Sequence, residues 1–179
     1  MSNVEFQAGA FDMASCEKVC RLLDDCARLK FPLIFFISSA GMQTKEGGGS
    51  LFSMSVINER ITRFVKDLDL PVLCFGYRDC TGGAQASFVT HLLVRTYYFS
   101  GSQIPFAGQL VVESHLPAHS TLSNYLSINP GTMDGLVKNP FDENVDKKLR
   151  EIDPNIPVAK HSVEEIIFRV LSGEYQLSV

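Results

Sequence analysis

The chain has 179 residues, 45% hydrophobic and 20% charged, the size and mixture of one globular domain over residues 1–179 and not of a disordered or fibrous chain. Sixteen Lys and Arg against twenty Asp and Glu leave a net charge of −4, and with no basic run anywhere nucleic acid is excluded as an expected partner. The longest apolar run, Phe31 to Ile37, is far short of the roughly 18 to 20 residues that cross a bilayer, so no membrane is expected either.

The N-terminus has neither the basic nor the apolar region of a secretion signal, which makes the cytoplasm the expected compartment. Cys16, Cys20, Cys26, Cys74 and Cys80 are an odd number without a C-x-x-C pair. Reduced, packing cysteines are expected, with no disulfide framework and no metal site.

From Ser15 to Lys30, Val19, Leu22, Leu23, Cys26 and Ala27 form one stripe of an amphipathic helix, which Phe31-Pro32 ends. Leu33 to Ile37 is a continuous apolar run of strand length, the pattern of a parallel strand covered on both faces. A loop from Ser38 to Gly49 follows. A second helix, from Ser50 to about Leu70-Pro71, carries Ile57, Ile61, Phe64, Val65 and Leu68 on one stripe, with Leu51, Phe52 and Met54 as apolar extras. Val72 to Tyr77 predicts a second buried strand. Arg78 to Gly83 predicts a loop, and Ala84 to Leu93 a helix whose first turns are built of small residues. Further along, strands are predicted at Thr96–Phe99, Ile104–Phe106 and Gly135–Val137, with a short helix near Leu110–Ser114 and a loop from Pro117 to Pro130. A charged helix at Asp142–Ile152 follows, punctuated by Pro154 and Pro157. The last is an amphipathic helix through Val163, Ile166, Ile167, Val170 and Leu171, opened by Ser162 and Glu165 at capping-box spacing. The alternation is that of an α/β fold.

Two glycine-bearing loops after consecutive buried strands, each leading into a helix, present unpaired N–H groups to whatever sits in the crevice, and an anion or a forming oxyanion is favoured there. Neither loop matches the phosphate-binding G-x-x-x-x-G-K-[ST] or G-x-G-x-x-G, so nucleotide hydrolysis and dinucleotide binding are not supported. No G-x-S-x-G elbow occurs. His91 reads as a packed histidine, and His115 and His119 do not form H-E-x-x-H. Cys80 beside Arg78 has no identifiable base. Lys45 and Glu46 read as a solvated loop pair, with help in holding an anionic substrate as the alternative.

Pro32-Leu33-Ile34, Ser39-Ala40-Gly41 with Glu46 beyond it, Leu70-Pro71, Thr81-Gly82-Gly83 with Ala86-Ser87-Phe88, and Phe106-Ala107-Gly108 occur in a particular order and spacing. In these the chain resembles the β subunit of the bacterial acetyl-CoA carboxylase carboxyltransferase, a crotonase-like enzyme, from about Gly9 to Asp142. The resemblance implies a single crotonase-like α/β domain that binds an acyl thioester, on CoA or on an acyl carrier protein. Its enolate would be stabilised in an oxyanion hole made by the backbone amides of Ala40, Gly41, Gly82 and Gly83. It also implies carboxybiotin supplied by a partner, an α-type carboxyltransferase subunit or self-association, and a biotin carboxyl carrier protein. The family loop reads approximately S-G-G-A-R-x-Q-E. Here Ala40 replaces a glycine, Gln43 an arginine, and Gln109-Leu110 a proline-arginine pair, and the four-cysteine zinc ribbon has no counterpart. Those departures keep two alternatives open: a biotin-independent malonyl-thioester decarboxylase or other thioester enzyme of a specialised biosynthetic pathway, and a non-catalytic structural subunit of a crotonase-like complex.

Overall fold

The computed structural model describes residues 5–102, 135–152, 154–155 and 159–174. Helix α1 spans Met13–Leu29 and starts where Asp12 accepts the Ser15 N–H at 2.7 Å. That bond holds the Asp12 carboxyl below its usual range and satisfies one of the amides a helix start leaves open. Lys30 ends the helix in the left-handed conformation, φ 56, donating its N–H to Ala27 and Cys26. The buried face is Cys16, Cys20 and Leu23. Leu22, expected on that face, is exposed, because the buried face centres on Cys16, Cys20 and Leu23 and Leu22 points about 100° around the helix from Leu23.

Strand β1, Leu33–Ser39, leads through a short 3₁₀ turn at Thr44–Glu46 into α2, Gly48–Leu68. Ile57, Ile61, Phe64 and Val65 are buried as expected. Met54 joins them, Leu51 and Phe52 stay exposed, and so does Leu68. Strand β2, Val72–Cys80, runs through residues expected as loop. It pairs parallel with β1 from Leu33↔Val72 to Ile37↔Gly76 and resumes at Ser39↔Cys80. This irregularity contains Arg78 at φ 60. Two extra β2 residues are taken up there, which sets the ends of the two strands side by side.

The helix expected over Ala84–Leu93 is shorter and begins earlier. It is α3, Gly82–Ala84, continued by a π-helical turn at Gln85–Val89. Thr90 closes that turn by donating both its N–H, at 2.8 Å, and its hydroxyl, at 3.1 Å, to Gln85 O. Strands β3, Arg95–Phe99, and β4, Gly135–Val137, complete a parallel sheet of order β1-β2-β3-β4. Helices α4, Val145–Ile152, and α5, Val163–Leu171, follow. The expected capping box is present at α5, with Ser162 Oγ accepting the Glu165 N–H and Glu165 accepting the Ser162 N–H at 2.8 Å.

One sheet face packs with α1 and α2 around Leu33, Ile37, Cys74 and Tyr98. The other joins Leu73, Phe75, Tyr97, Phe99 and Val137 to Ile166 and Val170 of α5, with Phe75 stacked on Phe36 and on Tyr97. Both faces are therefore apolar, which explains the continuous rather than alternating strand pattern. The expected strand at Ile104–Phe106, helix at Leu110–Ser114 and loop at Pro117–Pro130 lie outside the described residues. Gln109, His115 and His119 do too. No described helix is long and apolar enough to cross a membrane.

Candidate functional site

The carboxyl ends of β1 and β2 bring the two glycine loops together. Thr81 N–H donates to Ser39 O at 3.0 Å, locking the strand ends. Beyond it, Gly41 turns with φ +95 so tightly against Thr81–Gly83 that a Cβ there would stand 2.8 Å from Thr81 O and 3.3 Å from Gly83 N. Only glycine permits this approach. All four predicted residues, Ala40, Gly41, Gly82 and Gly83, thus sit at one backbone junction.

Their amides differ. Ala40 N–H donates to Ala8 O at 3.1 Å and Gly41 N–H to Ser39 Oγ at 3.1 Å, so both are engaged within the chain. Gly82 and Gly83 are the first two residues of α3, where a helix offers its own N–H groups no acceptor. The first loop is buttressed from the N-terminal side. Ser39 Oγ donates to Gly9 O at 2.8 Å, Phe11 N–H to Gly41 O and Gln43 N–H to Phe11 O, both at 2.7 Å. This buttress had no sequence signal, because it depends on left-handed backbone at Gln7 and Ala8, each at φ 51.

Glu46, expected as half of a solvated pair, accepts the Met13 N–H at 2.7 Å. It ties the glycine loop to the start of α1, where a carboxylate is favoured by the helix dipole. Gln43, standing at the arginine position of the resemblance, bonds Gln7 and accepts the Lys45 N–H at 3.3 Å. Cys80 is fully buried and its thiol donates to Ile37 O at 3.1 Å, the posture of a packing residue. His91 lies in the turn after the π-helical segment rather than on a helix. Its Nδ1 accepts the Leu93 N–H at 3.1 Å, so the proton sits on Nε2, facing Asn58 O and Thr62 Oγ1, each at 3.2 Å. Burial lowers its pKa, and it holds the segment after the second glycine loop onto α2.

A cavity of about 340 Å³ borders the junction between α2 and the π-helical turn, lined by Met42, Leu51, Met54, Gly83, Ala86 and Ser87 among others. It lies at the low end of ligand-pocket volumes. Near the strand ends the buried hydroxyls of Thr81, Tyr98 and Ser100 find no hydrogen-bond partner among the described residues. Among the described residues no group of three His, Cys, Asp or Glu is placed to hold a metal ion.

No family model matches the chain. It is 31% identical over 155 residues to the acetyl-CoA carboxylase carboxyl transferase subunit beta of Clostridium kluyveri, covering 82% of this chain and 50% of that protein. The corresponding subunit beta 1 of Roseiflexus castenholzii is 28% identical over 140 residues, 75% of this chain and 45% of that one. The chloroplastic subunit of Daucus carota is 26% identical over 166 residues, 89% and 33%. The chain spans half or less of the length of these curated relatives.

Among solved structures, transcarboxylase 12S aligns with a TM-score of 0.61 at 16% identity, over 87% of this chain and 30% of that one. A Pseudomonas malonate decarboxylase hetero-dimer aligns with 0.60 at 18% identity, over 95% and 77%. The sheet with its crossing helices is accordingly the crotonase-like α/β fold, and in sequence the chain is similar to the carboxyltransferase β subunits of acetyl-CoA carboxylase.

Proposed function

We propose that the chain is the β-type half of a carboxyltransferase, binding an acyl thioester with its carbonyl at the Gly82–Gly83 turn. The observation that carries this reading is the junction of Gly41 with Thr81–Gly83 beside a small cavity. Removing a proton or a carboxylate next to a thioester puts negative charge on the carbonyl oxygen. Fixed N–H donors aimed at that oxygen stabilise it without reorganising, which is the largest single term in many such reactions. Gly82 and Gly83 supply these donors. Ala40 and Gly41 join them only by releasing Ala8 O and Ser39 Oγ. The carboxyl donor is carboxybiotin on a carrier protein, and in the reverse direction biotin is the acceptor, presented across an α-type subunit or a second copy of this chain.

One observation favours a second reading, decarboxylation of a malonyl thioester without biotin. The neutral Gln43, bonded to Gln7 and to the Lys45 N–H, stands at the position where the resemblance implies a cation, and decarboxylation passes through the same enolate. The third reading, a structural subunit, predicts no turnover at all.

Malonyl-CoA separates the three. The chain, with an α-type carboxyltransferase subunit, is given malonyl-CoA with and without free biotin. Acetyl-CoA formed only when biotin is present supports carboxyl transfer. Acetyl-CoA formed regardless of biotin supports decarboxylation, and no acetyl-CoA in either case leaves only the structural role. Gly83→Pro, which deletes one donor, is expected to lower the rate about a hundred- to a thousandfold. Because proline disfavours left-handed backbone before it and Gly82 sits at φ +51, circular dichroism of the variant is measured beside its rate. A folded Gly83→Pro with full activity rules that amide out.

A further inference from the structure

Met42 is the side chain that meets the Gly82–Gly83 turn. A Cβ built on Gly83 would overlap Met42 Cγ and stand 2.6 Å from its Sδ, so the thioether lies on the glycine in space that any other residue would fill. Met54 Cε comes next, 3.5 Å from the same point. Met42 also lines the cavity bordered by Gly83, together with Leu51, Met54 and Ala86. It therefore touches both the turn and the apolar space beside it.

Its backbone and side chain have different freedom. The backbone is pinned, since Met42 bridges to Phe11 and Gln43 N–H donates to Phe11 O at 2.7 Å. The side chain is half-buried, unbranched and rotatable about three bonds, the properties that let methionine fill or vacate irregular space.

We propose that Met42 sets the length of the acyl group: its thioether covers Gly83 in the free chain and restricts the adjoining cavity to short acyl chains. This rests on the reading that the turn receives a thioester carbonyl. A carbonyl bound at the Gly82 and Gly83 amides places its acyl carbons toward the cavity that the same glycine borders, and Met42 takes up the part of it nearest the turn. One methylene too many in a shaped apolar pocket changes affinity by roughly ten- to two-hundredfold. Trimming Met42 back to its Cβ removes three heavy atoms, enough for such a change.

The test measures binding of acetyl-CoA and octanoyl-CoA to the full chain by calorimetry, for the wild type, Met42→Ala and Met42→Leu. The wild type is expected to prefer acetyl-CoA by at least about tenfold, and Met42→Ala to shift the affinity ratio toward octanoyl-CoA by at least about tenfold. Met42→Leu, close in volume, keeps the wild-type ratio. If acetyl-CoA binds and Met42→Ala leaves the ratio within threefold, the role of Met42 is overturned while the thioester reading stands. If neither ester binds any of the three proteins, the thioester reading is overturned and this inference with it. A readout without ligand checks the covering itself. A nuclear Overhauser contact between the Met42 Cγ protons and the Gly83 α protons is expected in the free chain, and its absence overturns the proposal.

Discussion

Gly76 shows how one missing side chain decides the packing above a strand. A Cβ there would stand 2.5 Å from the ring of Tyr98, which is wholly buried and cannot retreat. Gly76→Ala is expected to lower stability by about 1 to 3 kcal/mol through overpacking. Gly48, at the first position of α2 with nothing near its Cβ position, is the contrasting case. Gly48→Ala raises stability by about 0.4 to 1 kcal/mol by restricting the unfolded chain. Urea titrations of the two variants check both signs. His91 makes a second prediction at this scale. Its folded pKa lies below its ordinary value because burial disfavours the charged ring, so the unfolded chain binds the proton more readily. The stability it contributes is present above the unfolded value of about 6.5 and is lost as pH falls through it. The midpoint of thermal unfolding should drop between pH 7.5 and 5.5, and drop less in His91→Gln, which keeps a donor without titrating. Equal drops would show that other groups govern this window. That His91 packs was legible in the sequence, although the helix expected to carry it ends before it and its neighbour Leu92 is 98% exposed. Its partners Asn58 and Thr62 were not, because a contact across 29 or more positions leaves no local pattern.

Periodicity in the sequence marks a helix most clearly where one face alone is buried. The stripe Ile57, Ile61, Phe64 and Val65 placed α2 correctly, and the Ser162–Glu165 spacing placed the start of α5. Periodicity failed between Arg78 and Val89. There β2 runs on through a bulge, and the helix beyond it widens into a π-helical turn, two features set by contacts rather than by composition. The same limit applies to the candidate site. The glycines were visible as a pattern, whereas the buttress from Ala8, Gly9 and Phe11 was invisible. The caps carry the prediction at this scale. Ser162→Ala removes the acceptor for the Glu165 N–H and is expected to cost about 1 kcal/mol. Asp12→Ala, losing its bond to Ser15 N–H, is expected to cost a similar amount. Chemical denaturation measures both, and an unchanged midpoint in either variant would mean that its cap is replaced by water at no cost.

At the scale of the molecule, the cavity beside the glycine junction is lined in part by Leu51, 62% exposed, and the next residue of α2, Phe52, is 73% exposed. Such large apolar side chains beside a cavity mark a surface that another chain covers. Light scattering of the isolated chain is expected to show a dimer or larger species, or a shift to a defined complex when an α-type subunit is added. A monomer that stays monomeric with that subunit would contradict the assembly. The parallel sheet, finally, has a consequence for how this molecule comes into being. Leu33 must find Val72 and Tyr97 must find Gly135, sequence separations of 39 and 38 residues, so neither pairing forms as a hairpin. Each contact is paid for in loop-closure entropy before it returns any stability. Folding is therefore expected to be slow for a chain of this size. The junction of Gly41 with Thr81–Gly83 depends on β1–β2 registration, so it forms late, and until then the apolar strands are open to pairing with other chains.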